Sequence, residues 1–399
     1  MNIQTLVIVT LSCCVVAYND YKCNKQAALR LLKRPAFEFS IKLLQRVAED
    51  TDGHFIFSPL TTWLQMTALS EGATGFTFRE IWQVTRHHRN RCFRKKMYDI
   101  MSQLNRSLKS RNSRTSVIAI DKLMAVKKRF VKEVQRLYGI KVLLLNFNQP
   151  AKSANEVNEA IKHGTGGVID RILYYDDFNS TVLLLSDANY FHSAWRTPFA
   201  SVYTRSTPFF SSSGGELGVV SMMHQTGYFN LVEFPQINAQ VLEIPFAVPG
   251  ISMLVFLPTD KVWIGEIFYS LQKTRLTAIF NMFKRKGLSL VNVALPKFSQ
   301  LTEIENLPEL LYDMGIKRIF NPNLAELRGI SNYKVYASLM TQISRITVGE
   351  EGVTVGAEFL AENDTSVDFK ANKPFVYMIV ERTTEFILYA GVYSIPSEA

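Results

Sequence analysis

What a catalyst needs is missing from this chain. Its six histidines (His54, His87, His88, His163, His192 and His224) fall in no H-E-x-x-H pair, and no G-x-S-x-G elbow or phosphate-binding loop occurs. Gly164-Thr165-Gly166-Gly167 lacks the preceding strand and the third glycine of a nucleotide loop, so it reads as a turn. With no nucleophile, base and orienting group to assemble, the chain is read as a non-enzyme, with no cofactor and no metal.

Cysteine is scarce as well. Of four, Cys13 and Cys14 lie in the apolar start, and Cys23 and Cys92 have no zinc-site spacing. No internal repeat or low-complexity tract is present, and no apolar run is long enough to cross a bilayer, so no membrane partner is expected. The start itself, LVIVTLSCCVVA from Leu6 to Ala17, is short and ends in small residues. It reads as a secretory signal peptide over residues 1–17, which makes the mature chain secreted and extracellular. In an oxidising compartment Cys23 and Cys92 either form one disulfide or remain two thiols. Spacing alone does not decide, because bonding depends on how closely their Cα atoms approach. Sequons at Asn105, Asn179 and Asn363 suit a glycosylated surface.

What the chain has in quantity is apolar surface, 47% of its residues, and positive charge, net +10. The cations concentrate in RHHRNRCFRKK, where Arg86, Arg89, Arg91, Arg94, Lys95 and Lys96 precede any carboxylate. Phe93, Met97, Ile100, Met101, Leu104 and Leu108 share one helical face there, with Arg91, Lys95 and Arg106 opposite. Packing would then set the helix and leave the cations to solvent or a polyanion. Secretion argues against nucleic acid. Upstream, Phe37, Ile41, Leu44 and Val47 predict an amphipathic helix opening near Pro35. From His54 to Ile81 the pattern is strand, helix, turn, helix, broken at Ser58-Pro59 and at Glu71-Gly72-Ala73-Thr74-Gly75.

That block, HFIFSPLTTWLQMTALSEGATGFTFREI, resembles the serpin segment in which Phe-Ser-Pro opens a buried helix and Gly-Ala-x-Gly-x-Thr closes it. Further serpin-like blocks follow in the family's order: Asp187-Ala188-Asn189-Tyr190-Phe191 with Trp195 and Phe199, then Val220-Ser221-Met222-Met223, then Leu242-Glu243-Ile244-Pro245-Phe246. Leu295-Pro296-Lys297-Phe298, Met314-Gly315-Ile316 and Gly329-Ile330-Ser331 continue the series. The resemblance implies a mixed α+β serpin fold over residues 18–399: one monomeric domain with three β-sheets, about nine helices and an exposed reactive loop at about 350–368. It implies inhibition of a serine protease. It also implies that the basic helix binds a heparin-like glycosaminoglycan. A further likeness to insect seminal-fluid serpins rests on no motif.

Two departures lie in the sheet-opening region with Ser58. Asp187 stands where the family has Asn, and Gln342 where it has His, so the expected pair is a Gln342 amide donating to the Asp187 carboxylate beneath the sheet. The hinge reads as Glu350-Glu351-Gly352-Val353-Thr354-Val355-Gly356-Ala357, apolar and polar residues alternating as in a half-buried strand. Counting back from Val367 as in the family puts the scissile bond at Leu360-Ala361, where Leu360 suits a chymotrypsin-like protease. Counting forward from Gly352 puts it at Ser366-Val367. The counts differ by six residues, roughly 20 Å of extended strand. A tether that short is expected to impair suicide inhibition, so a binding, carrier or decoy-substrate role is the alternative.

Overall fold

The computed structural model describes residues 23–108, 112–259, 263–352 and 365–396. Helix α1 (Lys25–Asp50) starts where the Asn24 side chain accepts the backbone N–H of Ala27. Phe37, Ile41, Leu44 and Val47 are buried on it, as their spacing requires. Its start corrects the sequence expectation, because Pro35 lies inside the helix rather than near its opening. Ala27, Ala28 and Leu32 carry the buried stripe upstream, and that burial outweighs the backbone hydrogen bond a proline removes.

Strand β1 (Phe55–Phe57) is wholly buried, and Ser58-Pro59 then opens α2 (Pro59–Ser70) with proline in the first turn, where it costs no bond. Every residue of α2 is buried. Its hydroxyls are tolerated there because they are bonded: Thr67 donates to the Trp63 carbonyl and Ser70 to the Thr67 carbonyl. Then come α3 (Gly75–Thr85) and α4 (Arg91–Leu108), the latter with Phe93, Met97, Ile100, Met101 and Leu104 buried. A disulfide joins Cys23 to Cys92, Cα atoms 6.2 Å apart, and fastens the front of α1 to the front of α4.

Strand β2 (Asn112–Asp121), α5 (Lys128–Tyr138), β3 (Lys141–Leu145), α6 (Pro150–Gly164) and β4 (Leu183–His192) follow. After them come β5 (Arg205–Phe210), the long β6 (Glu216–Phe234), β7 (Ala239–Pro245), β8 (Ile251–Pro258), α7 (Glu266–Leu271) and α8 (Leu276–Lys286). The last third holds β9 (Ser289–Pro296), β10 (Phe298–Ile304), α9 (Leu307–Asp313), β11 (Leu339–Val348), β12 (Val367–Lys370), β13 (Phe375–Glu381) and β14 (Phe386–Tyr393). Among the described residues these make nine α-helices.

One sheet has five strands in the order β10-β11-β4-β2-β3. The other strands form a continuous ladder, β1-β14-β13-β8-β7-β6-β9-β12, with β5 on β6. This ladder is two sheets sharing β6: residues 222–229 pair with β9, and residues 230–234 with β7. The main core, including Phe57, Trp63 and Tyr377, joins the larger ladder, α1 and α2 to one face of the five-stranded sheet. A smaller core lies on its other face, where Val157 and Ile161 of α6 meet Val117, Leu184, Ala188 and Ile343. At the centre β4 and β11 run parallel in unbroken register from Leu339↔Leu184 to Thr347↔His192, nine pairs.

The disulfide closes a loop of 69 residues, so chain entropy assigns it about 4 kcal/mol. Replacing both cysteines by serine is expected to lower the urea midpoint by that equivalent, and dithiothreitol should bring the wild-type chain to the same value. An unchanged midpoint in both would show that the cross-link leaves the unfolded state unconstrained.

Candidate functional site

The loop leaves the fold from the head of the β4–β11 seam, and the chain before it is pinned at several points. Trp195, 1% exposed, stacks on Phe246 with centroids 4.5 Å apart and meets Phe199 edge-on. Its indole N–H donates to the Gly349 carbonyl at 2.7 Å and its backbone N–H to the Glu351 carbonyl at 2.8 Å, while Phe199 N–H donates to the Glu350 carbonyl at 3.0 Å. Gly352 bridges to Trp195 as a parallel β partner. A Cβ on Gly352 would lie 2.5 Å from the Pro198 backbone, so only glycine lets the two chains come this close.

Side chains secure the same residues. Glu350 pairs with Lys297 at 3.2 Å and accepts the Thr204 hydroxyl at 3.1 Å. Partial burial alone would raise the Glu350 carboxyl; its own backbone N–H, Lys297 and Thr204 outweigh that and hold it below the usual range. His192 Nε2 lies 2.9 Å from Glu351 Oε2. Sequence reasoning named Glu350, Glu351 and Gly352 as the hinge but missed what holds them, because Lys297, Thr204 and His192 lie more than fifty residues away along the chain. Trp195 and Lys297 appeared only within family-like blocks, with no partner attached.

Val353, Thr354, Val355, Gly356 and Ala357 of the hinge lie outside the described residues, as do Leu360, Ala361, Asn363 and the 1–17 segment. The alternative scissile pair is described. Asn292 Nδ2 donates to the Ser366 hydroxyl at 2.9 Å, and Val367 begins β12, paired with Val291 of β9. A protease cleft needs an extended backbone free on both sides of the bond. Reaching Ser366-Val367 would therefore mean stripping β12 from β9 first.

Beneath the seam, Ser116, Asp187 and Gln342 sit opposite one another on β2, β4 and β11. Asp187 is fully buried, which rules out a wet edge. The expected Gln342–Asp187 hydrogen bond is replaced by other partners. Gln342 Oε1 accepts the Ser58 N–H at 2.6 Å and the Ser344 hydroxyl at 3.0 Å. Its Nε2 donates to the Ser58 carbonyl at 3.1 Å and to the Thr61 and Thr62 hydroxyls at 2.9 and 3.1 Å. The amide is thus saturated by the start of α2, and none of it is left for the carboxyl. Asp187 Oδ1 instead accepts the Ser116 hydroxyl, which receives Arg114 at 3.1 Å, while Oδ2 has no hydrogen bond. Burial pushes the Asp187 carboxyl up to about 6, against the opposing pull of Arg114, Ser116 and Thr61.

The basic segment is far less free than its sequence suggests. Arg86 pairs with Glu38 and Arg91 with Glu133. Arg89 lies 3.8 Å over the Trp82 ring, and Lys96 is 3.5 Å from Asp99. Arg94 is mostly buried, its Nε 2.6 Å from Glu71 Oε1, and Glu71 also accepts the Tyr138 hydroxyl at 2.9 Å. The expectation that packing leaves these cations unpaired is corrected: neighbouring helices bring carboxylates that lie far away in sequence. Of the six, Lys95 is exposed and has no partner among the described residues. His87 adds no charge, since burial first, then Arg94, His88 and Arg89, lower its pKa to about 3. Asn179 is exposed after the turn at 175–178, and the backbone of Asn105 lies within α4.

The buried carboxyl makes stability depend on pH. With a folded pKa of about 6 against 3.8 unfolded, protonated Asp187 favours the fold fully below pH 3.8, and the advantage is lost as pH rises through 6. The two-unit shift corresponds to about 3 kcal/mol. Asp187→Asn is expected to match wild type near pH 4 and to unfold at higher denaturant at pH 7.5, by up to that amount. Parallel pH profiles of the two proteins would contradict this assignment.

Comparison with known proteins places this geometry. The family model described as serpin (serine protease inhibitor) matches residues 36–396. Mouse Serpin B11 is 28% identical over 392 residues, covering 90% of this chain and 98% of its own length. The horse leukocyte elastase inhibitor is 30% identical over 281 residues, 67% of this chain and 73% of that protein. Among solved structures, Serpin48 of the insect Tenebrio molitor superposes with a TM-score of 0.76 at 25% identity, covering 92% of this chain and 99% of that one. Maspin superposes at 0.83 with 22% identity, covering 92% and 100%.

Proposed function

The chain belongs to the serpin family, and on that premise we propose that it regulates a serine protease in the extracellular space, presenting residues 353–366 as bait. The observation that supports this most directly is the closed β4–β11 seam with Gly352 pinned at its head. It is the slot a cleaved loop would enter as a new strand, and the released strain of such insertion is what serpins use. The horse and frog relatives named leukocyte elastase inhibitor support a protease as partner. The apolar start of the sequence and the exposed Asn179 sequon fit a secreted glycoprotein.

A count of residues supports a second reading, that of a decoy substrate. Cleavage at Leu360-Ala361 leaves eight residues, 353–360, to line a seam of nine pairs. An acylated Leu360 would then stop inside the seam, with the protease still clear of the fold and able to deacylate. Cleavage at Ser366-Val367 would supply fourteen residues, enough to run past the end, but that bond enters β12. Incubation with chymotrypsin- and trypsin-like proteases separates the two. A detergent-stable adduct supports inhibition. Cleavage after Leu360 with no adduct and no rise in melting temperature supports the decoy. A loop left intact by both protease classes would sink both readings.

For the basic helix we propose a heparin-like glycan as ligand, held by Lys95 together with the exposed Lys128, Arg129, Lys132 and Arg136 of neighbouring α5. Lys95→Ala is expected to elute from heparin at lower salt with an unfolding midpoint within about 0.5 kcal/mol of wild type. Arg94→Ala should show the reverse, losing about 3 kcal/mol because Glu71 is left buried without its partner. Equal elution of Lys95→Ala and wild type would remove Lys95 from the contact.

A further inference from the structure

On the side of the larger ladder away from the seam lies a cleft of ≈ 580 Å³, bounded by the β7–β8 connection, the front of β9 and Arg196. Its walls are mostly apolar: Phe229, Phe246, Pro249, Ile251 and Leu288. Leu288 is 57% exposed at the rim, an apolar side chain with no fold-level reason to stay in water. The polar groups in this apolar setting are two guanidiniums and one carboxylate. Glu243, 1% exposed, accepts both of its Arg382 contacts from Nη1, at 2.7 and 2.9 Å, and takes a third bond from Asn230 at 2.7 Å. Glu243 is thereby saturated and Arg382 only half used, its guanidinium resting 4.8 Å from the Phe280 ring. Arg196 is exposed, and its side chain has no partner among the described residues, although its backbone N–H is fixed to the Pro245 carbonyl at 3.0 Å.

We propose that this cleft binds an amphipathic organic anion: an apolar body against Phe229, Phe246 and Leu288, and a single carboxylate head between Arg196 and the free edge of Arg382. Two guanidiniums against one carboxylate leave one uncompensated positive charge, which a monoanion neutralises and a neutral lipid does not. Guanidinium geometry favours a carboxylate, which can take two parallel N–H bonds. The volume falls within the range that encloses most of a small ligand. Neither the loop nor the basic helix touches these residues, so the inference stands apart from the proposed protease and glycan contacts.

Decanoate, kept below its micelle concentration, is the probe, with decan-1-ol as the neutral match in length. Calorimetric titration of the full chain should give saturable one-to-one binding of decanoate, with decan-1-ol weaker by at least about tenfold, the cost of losing a charge-assisted contact. Arg196→Gln should weaken decanoate by about tenfold, and Leu288→Asp at the rim by a similar factor. Both sites are exposed, so the variants should keep the wild-type unfolding midpoint; Arg382 is left intact because Glu243 depends on it. Absence of saturation, equal affinity for the alcohol, or undiminished binding by Arg196→Gln overturns the proposal.

Discussion

The Gln342 side chain joins the mobile part of this molecule to its fixed part. Its amide spends both polar atoms on the opening of α2, a helix buried on every side, and so ties β11 to the middle of the core. Next to it β4 carries Asp187, whose carboxyl turns to β2. Each strand of the seam is thus fastened to its own side: β11 to α2, β4 to the Ser116–Arg114 relay. The two strands share only their backbone ladder and the α6 side chains laid across it. Such a seam can part without breaking a side-chain hydrogen bond between Asp187 and Gln342, because none bridges them. The cost of opening then falls on main-chain bonds, which a new strand would replace.

At the head of the seam the restraint is of another kind. Glu350, Glu351 and Gly352 are held through their carbonyls by Trp195 and Phe199, and through carboxylates by Lys297 and His192. The aromatic stack around Trp195 gives these bonds a rigid base, and the missing Cβ at Gly352 lets the chain lie directly on Pro198. The far end of the loop is equally fixed by β12 and Asn292. Between two such anchors, loop length rather than loop chemistry decides what a bound protease experiences. That is why six residues matter more here than the identity of the residue before the cut.

Charge shows how a sequence can mislead in magnitude while being right about position. The run from Arg86 to Lys96 is basic on paper, yet Glu38, Glu71 and Glu133 arrive from three other helical stretches and compensate half of it. The uncompensated charge gathers elsewhere, on Lys95 and α5, and on Arg196 beside the apolar cleft. None of these positions stands out in a scan for cationic runs.

Local order was readable from residues alone. The Ser58-Pro59 break, the α2 and α3 pair, the apolar face of α4 and the strands around residues 346–348 and 375–380 follow from periodicity and turn residues, which are short-range effects. The family-like blocks placed the hinge and the sheet-opening residues in the right neighbourhoods. Contacts across long separations were decided by the tertiary structure: the Cys23–Cys92 bond, the turn of Gln342 away from Asp187, and the carboxylates that neutralise the basic helix. The reason is physical. Periodicity tells a side chain which way to face, but its partners depend on which remote segments packing brings to that face.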